Sequence, residues 1–123
     1  MIGELHAVVI DCPNPDELAS FYEKLLGLDR VVNEVDWVAI SAGPGTTRVA
    51  FQLVDPYTPP QWPGQLVPQQ MHLDVRVADL DVGEKQVLAI GATDAGYRED
   101  DFRVFLDPAG HPFCLVEVSP EAP

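Results

Sequence analysis

Apolar and polar positions alternate, then switch to helical spacing, and this order occurs twice along the chain. In the first half, residues 4–11 alternate as a strand, and Leu18 and Phe21 then begin the spacing of an amphipathic helix. Asn14 precedes that helix as an N-cap, and Gly27 ends it. Three further strand patterns follow, at about 29–34, 36–42 and 47–54. The first half therefore predicts the order β-α-β-β-β.

The second half repeats that order. Residues 71–77 predict a strand, Asp79 caps a helix that reaches Ile90, and Gly91 ends it. The remaining strands are predicted at about 93–99, 101–106 and 112–118. The fold class is therefore α+β, with two tandem βαβββ modules. Each helix can cover one face of its four strands, so the other face must meet the other module or enclose a cavity.

Matched residues give the repeat a register. Phe51-Gln52-Leu53-Val54 is echoed by Phe113-Cys114-Leu115-Val116, and His6 is echoed by His72. We therefore predict that the two modules superpose with His6 over His72 and with Gln52 over Cys114.

The chain is predicted to be a single domain over residues 1–123. It contains a first module at 1–55, a proline-rich linker at 56–70 and a second module at 71–123. Tyr57 and Trp62 lie in the linker. They either pack over a ligand mouth or a partner subunit, or they pin the linker to its own domain.

The composition excludes several classes of partner. The net charge is −13 with only seven Lys and Arg, which argues against nucleic acid and against anionic membranes. No apolar run approaches the roughly 20 residues of a membrane span, and no basic N-terminal region marks a signal peptide. A cytoplasmic location is expected. The acidic surface either attracts cationic ligands or serves solubility. Cys12 and Cys114 are expected as free thiols, although the sequence leaves a disulfide open.

Two segments carry a family resemblance. Met71-His-Leu-Asp-Val-Arg-Val-Ala-Asp-Leu-Asp81 and Asp107-Pro-Ala-Gly-His-Pro-Phe-Cys-Leu-Val116, together with the duplication, resemble the vicinal oxygen chelate superfamily. That superfamily holds glyoxalase I, bleomycin-resistance proteins and extradiol dioxygenases, and the similarity is to its small bacterial glyoxalase-like branch. The resemblance implies a curved mixed sheet around a cavity and a homodimer.

The resemblance also implies a metal site. Metal-binding members take their ligands from the first and last strands of each half, which gives His6, Gln52 and His72 as metal ligands here. These side chains suit Zn, Ni, Fe or Mn. Cys114 departs from the pattern, because active members carry a Glu there as ligand and proton acceptor. Cys114 is either apolar filler or a thiolate ligand. The full predicted ligand-binding set is His6, Gln52, His72, Asp74, Arg76 and Cys114.

Three functions are compatible with these sequence features. The lost carboxylate favours a glyoxalase-like small-molecule-binding protein with an incomplete metal site, which sequesters a cationic compound. The two histidines favour a divalent-metal-dependent lyase, isomerase or dioxygenase. A non-catalytic regulatory or interaction module is the third. The sequence names no catalytic residue and leaves open whether the protein is an enzyme.

Overall fold

The structure is a computed structural model that describes residues 1–123. It contains eight strands and two helices in the predicted order. These elements are β1 (Ala7–Cys12), α1 (Pro15–Leu26), β2 (Asp29–Asn33), β3 (Trp37–Ser41), β4 (Arg48–Leu53), β5 (Leu73–Arg76), α2 (Leu80–Ala89), β6 (Thr93–Arg98), β7 (Phe102–Leu106) and β8 (Pro112–Val116). Neither helix is long and apolar enough to cross a membrane.

The helix ends form as their sequences predict. The Asn14 side chain accepts a hydrogen bond from the backbone N–H of Glu17 at 3.1 Å, and Gly27 ends α1 in the left-handed conformation, with φ of 66°. The Asp79 side chain accepts from the N–H of Val82 at 3.0 Å, and Gly91 follows α2 with φ of 116°. Each cap supplies an acceptor for N–H groups that the first turn leaves unpaired.

The chain divides into two compact units, Met1–Tyr57 and Thr58–Pro123. Each unit holds one four-stranded sheet, ordered β1-β4-β3-β2 in the first and β5-β8-β7-β6 in the second. In both, the first strand pairs in parallel with the last, and the other pairs are antiparallel. The duplicated topology and the α+β class predicted from the sequence are confirmed.

One face of each sheet is covered by the helix of its own unit. In the first unit, Tyr22 of α1 stacks on Phe51 of β4 with ring centroids 5.5 Å apart, and both side chains are fully buried. In the second unit, a Cβ placed on Gly83 of α2 would lie 3.2 Å from Leu115 of β8. Glycine at this position therefore allows the helix to approach the sheet closely.

The proline-rich segment groups with the second unit. Trp62 packs edge-on against Tyr97 of β6, with ring centroids 5.6 Å apart. Pro59 lies against the 107–111 turn, 3.0 Å from the position that a Cβ on Gly110 would take. These contacts hold Trp62 and Pro59 against the second unit.

We call the sheet face that points away from the helix of the same unit the distal face. Leu115 points toward α2, so Cys114 and Val116 lie on the distal face of the second sheet because side chains alternate along a strand. Strand partners share a face, so Asp74, opposite Cys114, and Phe102, opposite Val116, are distal as well.

The predicted superposition of His6 on His72 and of Gln52 on Cys114 is wrong. Trp37 and Phe102 are the first residues of the equivalent strands β3 and β7. Trp37 pairs with Gln52 in the β3–β4 hairpin, whereas Phe102 pairs with Val116 in the β7–β8 hairpin. Gln52 therefore corresponds to Val116.

The same registers give Cys114 and His72 apolar counterparts. Cys114 pairs with Asp74, and the equivalent pair in the first unit is Ala50 with Val9. His72, two residues before Asp74, then corresponds to Ala7. The sequence match of Phe51–Val54 with Phe113–Val116 therefore differs by two residues from the correspondence that the hydrogen-bonded strand pairs give. A two-residue slip keeps every side chain on its face, so hydrophobic alternation does not reveal it.

Candidate functional site

Three polar side chains meet on the distal face of the second unit. His72 precedes β5, Asp74 lies on β5 and Cys114 lies opposite it on β8. The Nε2 atom of His72 lies 3.2 Å from Oδ1 of Asp74, and the ligand atoms of all three residues lie within 4.8 Å of one another. We call this group the His-Asp-Cys cluster. The parallel pairing of β5 with β8 creates it, because His72 and Asp74 share a face and Asp74 is the partner of Cys114.

The cluster keeps its cysteine protonated at neutral pH. Cys114 is 8% exposed and unpaired with any other cysteine. Burial, the negative charge of Asp74 and a hydrogen bond to that carboxylate raise the thiol pKa to about 11. The thiol therefore donates a hydrogen bond to Asp74. The His72 and Asp74 side chains are 42% and 58% exposed, so a ligand can reach them.

The chemistry of the donor set fits a divalent metal in part. Imidazole, carboxylate and thiolate are all zinc ligands, at roughly 2.0–2.3 Å from the ion. The 3.2 Å separation of His72 and Asp74 is compatible with two donors on one ion. Cys114 would have to lose its proton first, which its raised pKa opposes. A bound metal would act as a Lewis acid beside Asp74.

The structure does not bring the predicted metal ligands of the first unit together. The register of β1 and β4 places Gln52 opposite Asp11, whereas His6 precedes Ala7, the partner of Arg48. His6 and Gln52 therefore lie five positions apart along this strand pair, or about 16 Å. One ion cannot bind both.

The remaining predicted residues occupy separate places. Arg76 is exposed and follows Asp74 on the distal face of β5. Gln52 is exposed on the distal face of β4. His6 lines a cleft of about 360 Å³ in the first unit, together with Arg48. Within each unit, the His-Asp-Cys cluster is thus the only place where the structure brings predicted site residues together.

An aromatic row lies on the same distal face, and two of its members, Tyr97 and Phe102, were not singled out from the sequence. Tyr97 stacks on Phe102 with ring centroids 5.9 Å apart, and Trp62 packs edge-on against Tyr97. The Tyr97 hydroxyl donates to the Glu99 carboxylate at 2.7 Å, which raises the pKa of the tyrosine. Phe102 is the partner of Val116, two residues beyond Cys114. The sequence signal for this facing was the alternation of Tyr97 with Arg98 along the strand. Arg98 points toward α2, so Tyr97 points away from it.

Comparison with known proteins gives a consistent family. The family model of the glyoxalase-like domain matches residues 7–116. A sequence comparison with curated proteins gives no significant match.

Three solved structures share the fold. A glyoxalase/bleomycin resistance protein/dioxygenase family enzyme from Burkholderia phytofirmans is 17% identical with a TM-score of 0.70, covering 95% of this chain and all of the other. A fosfomycin resistance protein from Mesorhizobium loti is 15% identical with a TM-score of 0.70, covering 98% and 95%. The bleomycin-binding protein from Streptomyces verticillus, complexed with copper(II)-bleomycin, is 16% identical with a TM-score of 0.58, covering 97% and 100%.

At these identities the three structures establish the fold alone, whereas the family model spans nearly the whole chain. The chain belongs to the glyoxalase-like domain family.

Proposed function

We propose that this protein binds a small, planar organic cation on the distal face of its second unit, without requiring a metal. One observation carries the proposal. The Glu99 carboxylate and the aromatic row of Trp62, Tyr97 and Phe102 lie together on this sheet face, and Asp74 lies further across the same face.

The aromatic row supplies a surface for a flat ligand. Tyr97 is 44% exposed, and its stacking on Phe102 and contact with Trp62 fix the orientation of the ring. An organic cation over such a ring is attracted to its electron-rich face, by about 0.5–1 kcal/mol at exposed sites and more where water is excluded.

The charges near the row favour a cation. Glu99 lies at the Tyr97 hydroxyl, and Asp74 adds a second carboxylate on the same sheet. Arg76 opposes them, and it lies closer to the row than Asp74 does, because its partner Val116 is also the partner of Phe102. The chain as a whole carries a net charge of −13, which raises the local concentration of cations.

The state of Cys114 supports binding without metal. Its thiol is protonated and hydrogen-bonded to Asp74, so the cluster is satisfied as it stands. The superfamily pattern has a Glu at this place, and a neutral thiol offers neither its charge nor its basicity. The bleomycin-binding protein of Streptomyces verticillus is a precedent for a binder on this fold.

Thermal denaturation with benzamidine, in the presence of a chelator, tests the proposal. Benzamidine is a planar cation, and benzyl alcohol is its uncharged control. We expect benzamidine, but not benzyl alcohol, to raise the melting temperature, because a ligand that binds only the folded state stabilises it. Glu99→Gln should reduce the shift and Arg76→Gln should enlarge it, because Glu99 and Arg76 lie closer to the row than Asp74 does. Equal shifts in both variants and the wild type would contradict the proposal.

A metal-dependent lyase, isomerase or dioxygenase is the second candidate, and the His-Asp-Cys cluster favours it. Elemental analysis of the purified protein distinguishes the two. Stoichiometric Zn, Ni, Fe or Mn that is lost in His72→Ala and retained in His6→Ala would support the enzyme. Less than one equivalent of metal in the wild type would support the binder.

A further inference from the structure

A second concave site lies within the first unit, remote in sequence from the His-Asp-Cys cluster. It is a cleft of about 360 Å³ beside the start of β1 and the turn between β3 and β4. Clefts of about 300 Å³ or more accommodate small organic ligands. Its walls are formed by Glu4, Leu5, His6, Val31, Ser41, the Gly43–Thr46 turn and Arg48.

The turn that forms one wall is held by hydrogen bonds of its own. The Ser41 hydroxyl accepts from the N–H of Gly43 at 3.0 Å and lies 3.1 Å from the Thr46 hydroxyl. Thr46 also donates to the carbonyl of Gly43 at 2.7 Å. These hydroxyls are engaged in fixing the turn, so the polar side chains left to meet a ligand are Arg48, His6 and Glu4.

Arg48 differs from most arginines of this acidic chain. Arg30, Arg98 and Arg103 each form ion pairs with carboxylates on the helix of their own unit. Arg48 is half-buried and forms none, although the chain has 20 Asp and Glu residues. A half-buried guanidinium presents several N–H donors that need acceptors. The N–H donors of Arg48 are therefore available to an anion that enters the cleft.

We propose that this cleft binds a small organic anion. Its carboxylate or phosphate would accept hydrogen bonds from Arg48 and His6, while an apolar body packs against Leu5 and Val31, which are both exposed. Arginine binds either anion through paired N–H donors. Glu4 lies in the same lining and weakens the attraction. This site differs from the proposed cation site in its unit and in the charge of its ligand.

A proton–nitrogen NMR titration tests the site with three probes of one shape. Benzoate carries the carboxylate, phenyl phosphate carries the phosphate, and benzyl alcohol carries no charge. We expect both anions to shift the amide signals of Gly43, Gly45 and Thr46, and benzyl alcohol to bind at least about tenfold more weakly. The tighter of the two anions then identifies the preferred group.

Matched variants assign the effect to Arg48. Arg48→Gln should weaken anion binding by about tenfold or more, whereas Lys24→Gln, which removes one exposed positive charge from α1 of the same unit, should change it less than about twofold. Glu4→Gln should tighten binding about twofold or more, because it removes a repulsive charge. Each variant's amide spectrum reports its folding in the same experiment.

The proposal is overturned if neither anion shifts these amides, if benzyl alcohol binds as tightly as the anions, or if Arg48→Gln and Lys24→Gln weaken binding equally. None of these results would affect the proposal that benzamidine binds at the second unit.

Discussion

Substitution of Cys114 by Glu tests how the His-Asp-Cys cluster is built. The variant places a carboxylate where the thiol donates to Asp74, in a position that is 8% exposed. We expect it to be less stable than the wild type at neutral pH without metal, and to gain more stability from a divalent metal.

The magnitude follows from the separation of the two charges. The ligand atoms of the cluster lie within 4.8 Å of one another. Two like charges at about 5 Å repel by roughly 3 kcal/mol at an effective dielectric constant of 20. Asp74 is 58% exposed, so solvent screening reduces this to about 1–2 kcal/mol. Burial of the new carboxylate adds about 1 kcal/mol, which gives a loss of about 2–3 kcal/mol.

The loss should depend on pH with a definite sign. Burial and Asp74 raise the pKa of the introduced glutamate in the folded state above its unfolded value of about 4.3. The folded variant therefore binds its proton more tightly than the unfolded chain does. Its destabilisation should be small near pH 4 and should grow as the pH rises toward 7.

Chemical denaturation at pH 4 and pH 7, with chelator or with added Zn²⁺ or Ni²⁺, measures both effects. The matched control is Cys114→Gln, which has the same shape without the charge. Metal at about 100 times its dissociation constant should raise the free energy of unfolding of the Glu variant by about 2.7 kcal/mol. Equal stability and equal metal response of the Glu and Gln variants would refute the arrangement described for Cys114 and Asp74.

Four further outcomes are expected. Asp74→Asn should lower the pKa of Cys114 from about 11, since it removes a negative charge and a charged acceptor, and thiolate absorbance against pH measures this. Glu117→Ala should lower the free energy of unfolding by about 1 kcal/mol in urea, because Glu117 accepts from the N–H of Leu80 at the start of α2 at 3.0 Å. Phe113→Ala should lower it by about 3–5 kcal/mol, since Phe113 is fully buried. The homodimer that the family resemblance implies predicts twice the 13.5 kDa of one chain by light scattering.

The elements of the fold could be predicted from the sequence because their signals are local. Asn14 and Asp79 cap their helices through side-chain bonds three residues on, and Gly27 ends α1 with the positive φ that glycine tolerates. The Asp107–His111 turn is also local, since the buried Asp107 carboxylate accepts from the N–H groups of Ala109 and His111. Such patterns lie within a few residues of chain.

The site was predicted less well because it depends on register between distant strands. Asp74 and Cys114 meet through the β5–β8 pairing, and the echo that equated Cys114 with Gln52 hides the two-residue slip. His6 and His72 are alike in sequence, yet His72 corresponds to Ala7. The polar cluster therefore belongs to the second unit alone, and its counterpart positions in the first unit are apolar.

The aromatic row shows a second limit. The contact of Trp62 with Tyr97 joins the proline-rich segment to a strand more than thirty residues away. Trp62 carries no local signal for that contact, because the segment around it has no helical or strand periodicity and therefore no predicted facing. The sequence could identify the aromatic side chains but not the surface that they form together.

An amide NMR titration of the wild type with benzamidine, in chelator, tests the central claim most directly. Metal-free binding on the aromatic row of the second unit predicts saturable shifts at Tyr97, Glu99 and Phe102, and much weaker shifts in Glu99→Gln. Shifts that appear only after Zn²⁺ or Ni²⁺ is added, or that fall outside these positions, would contradict it.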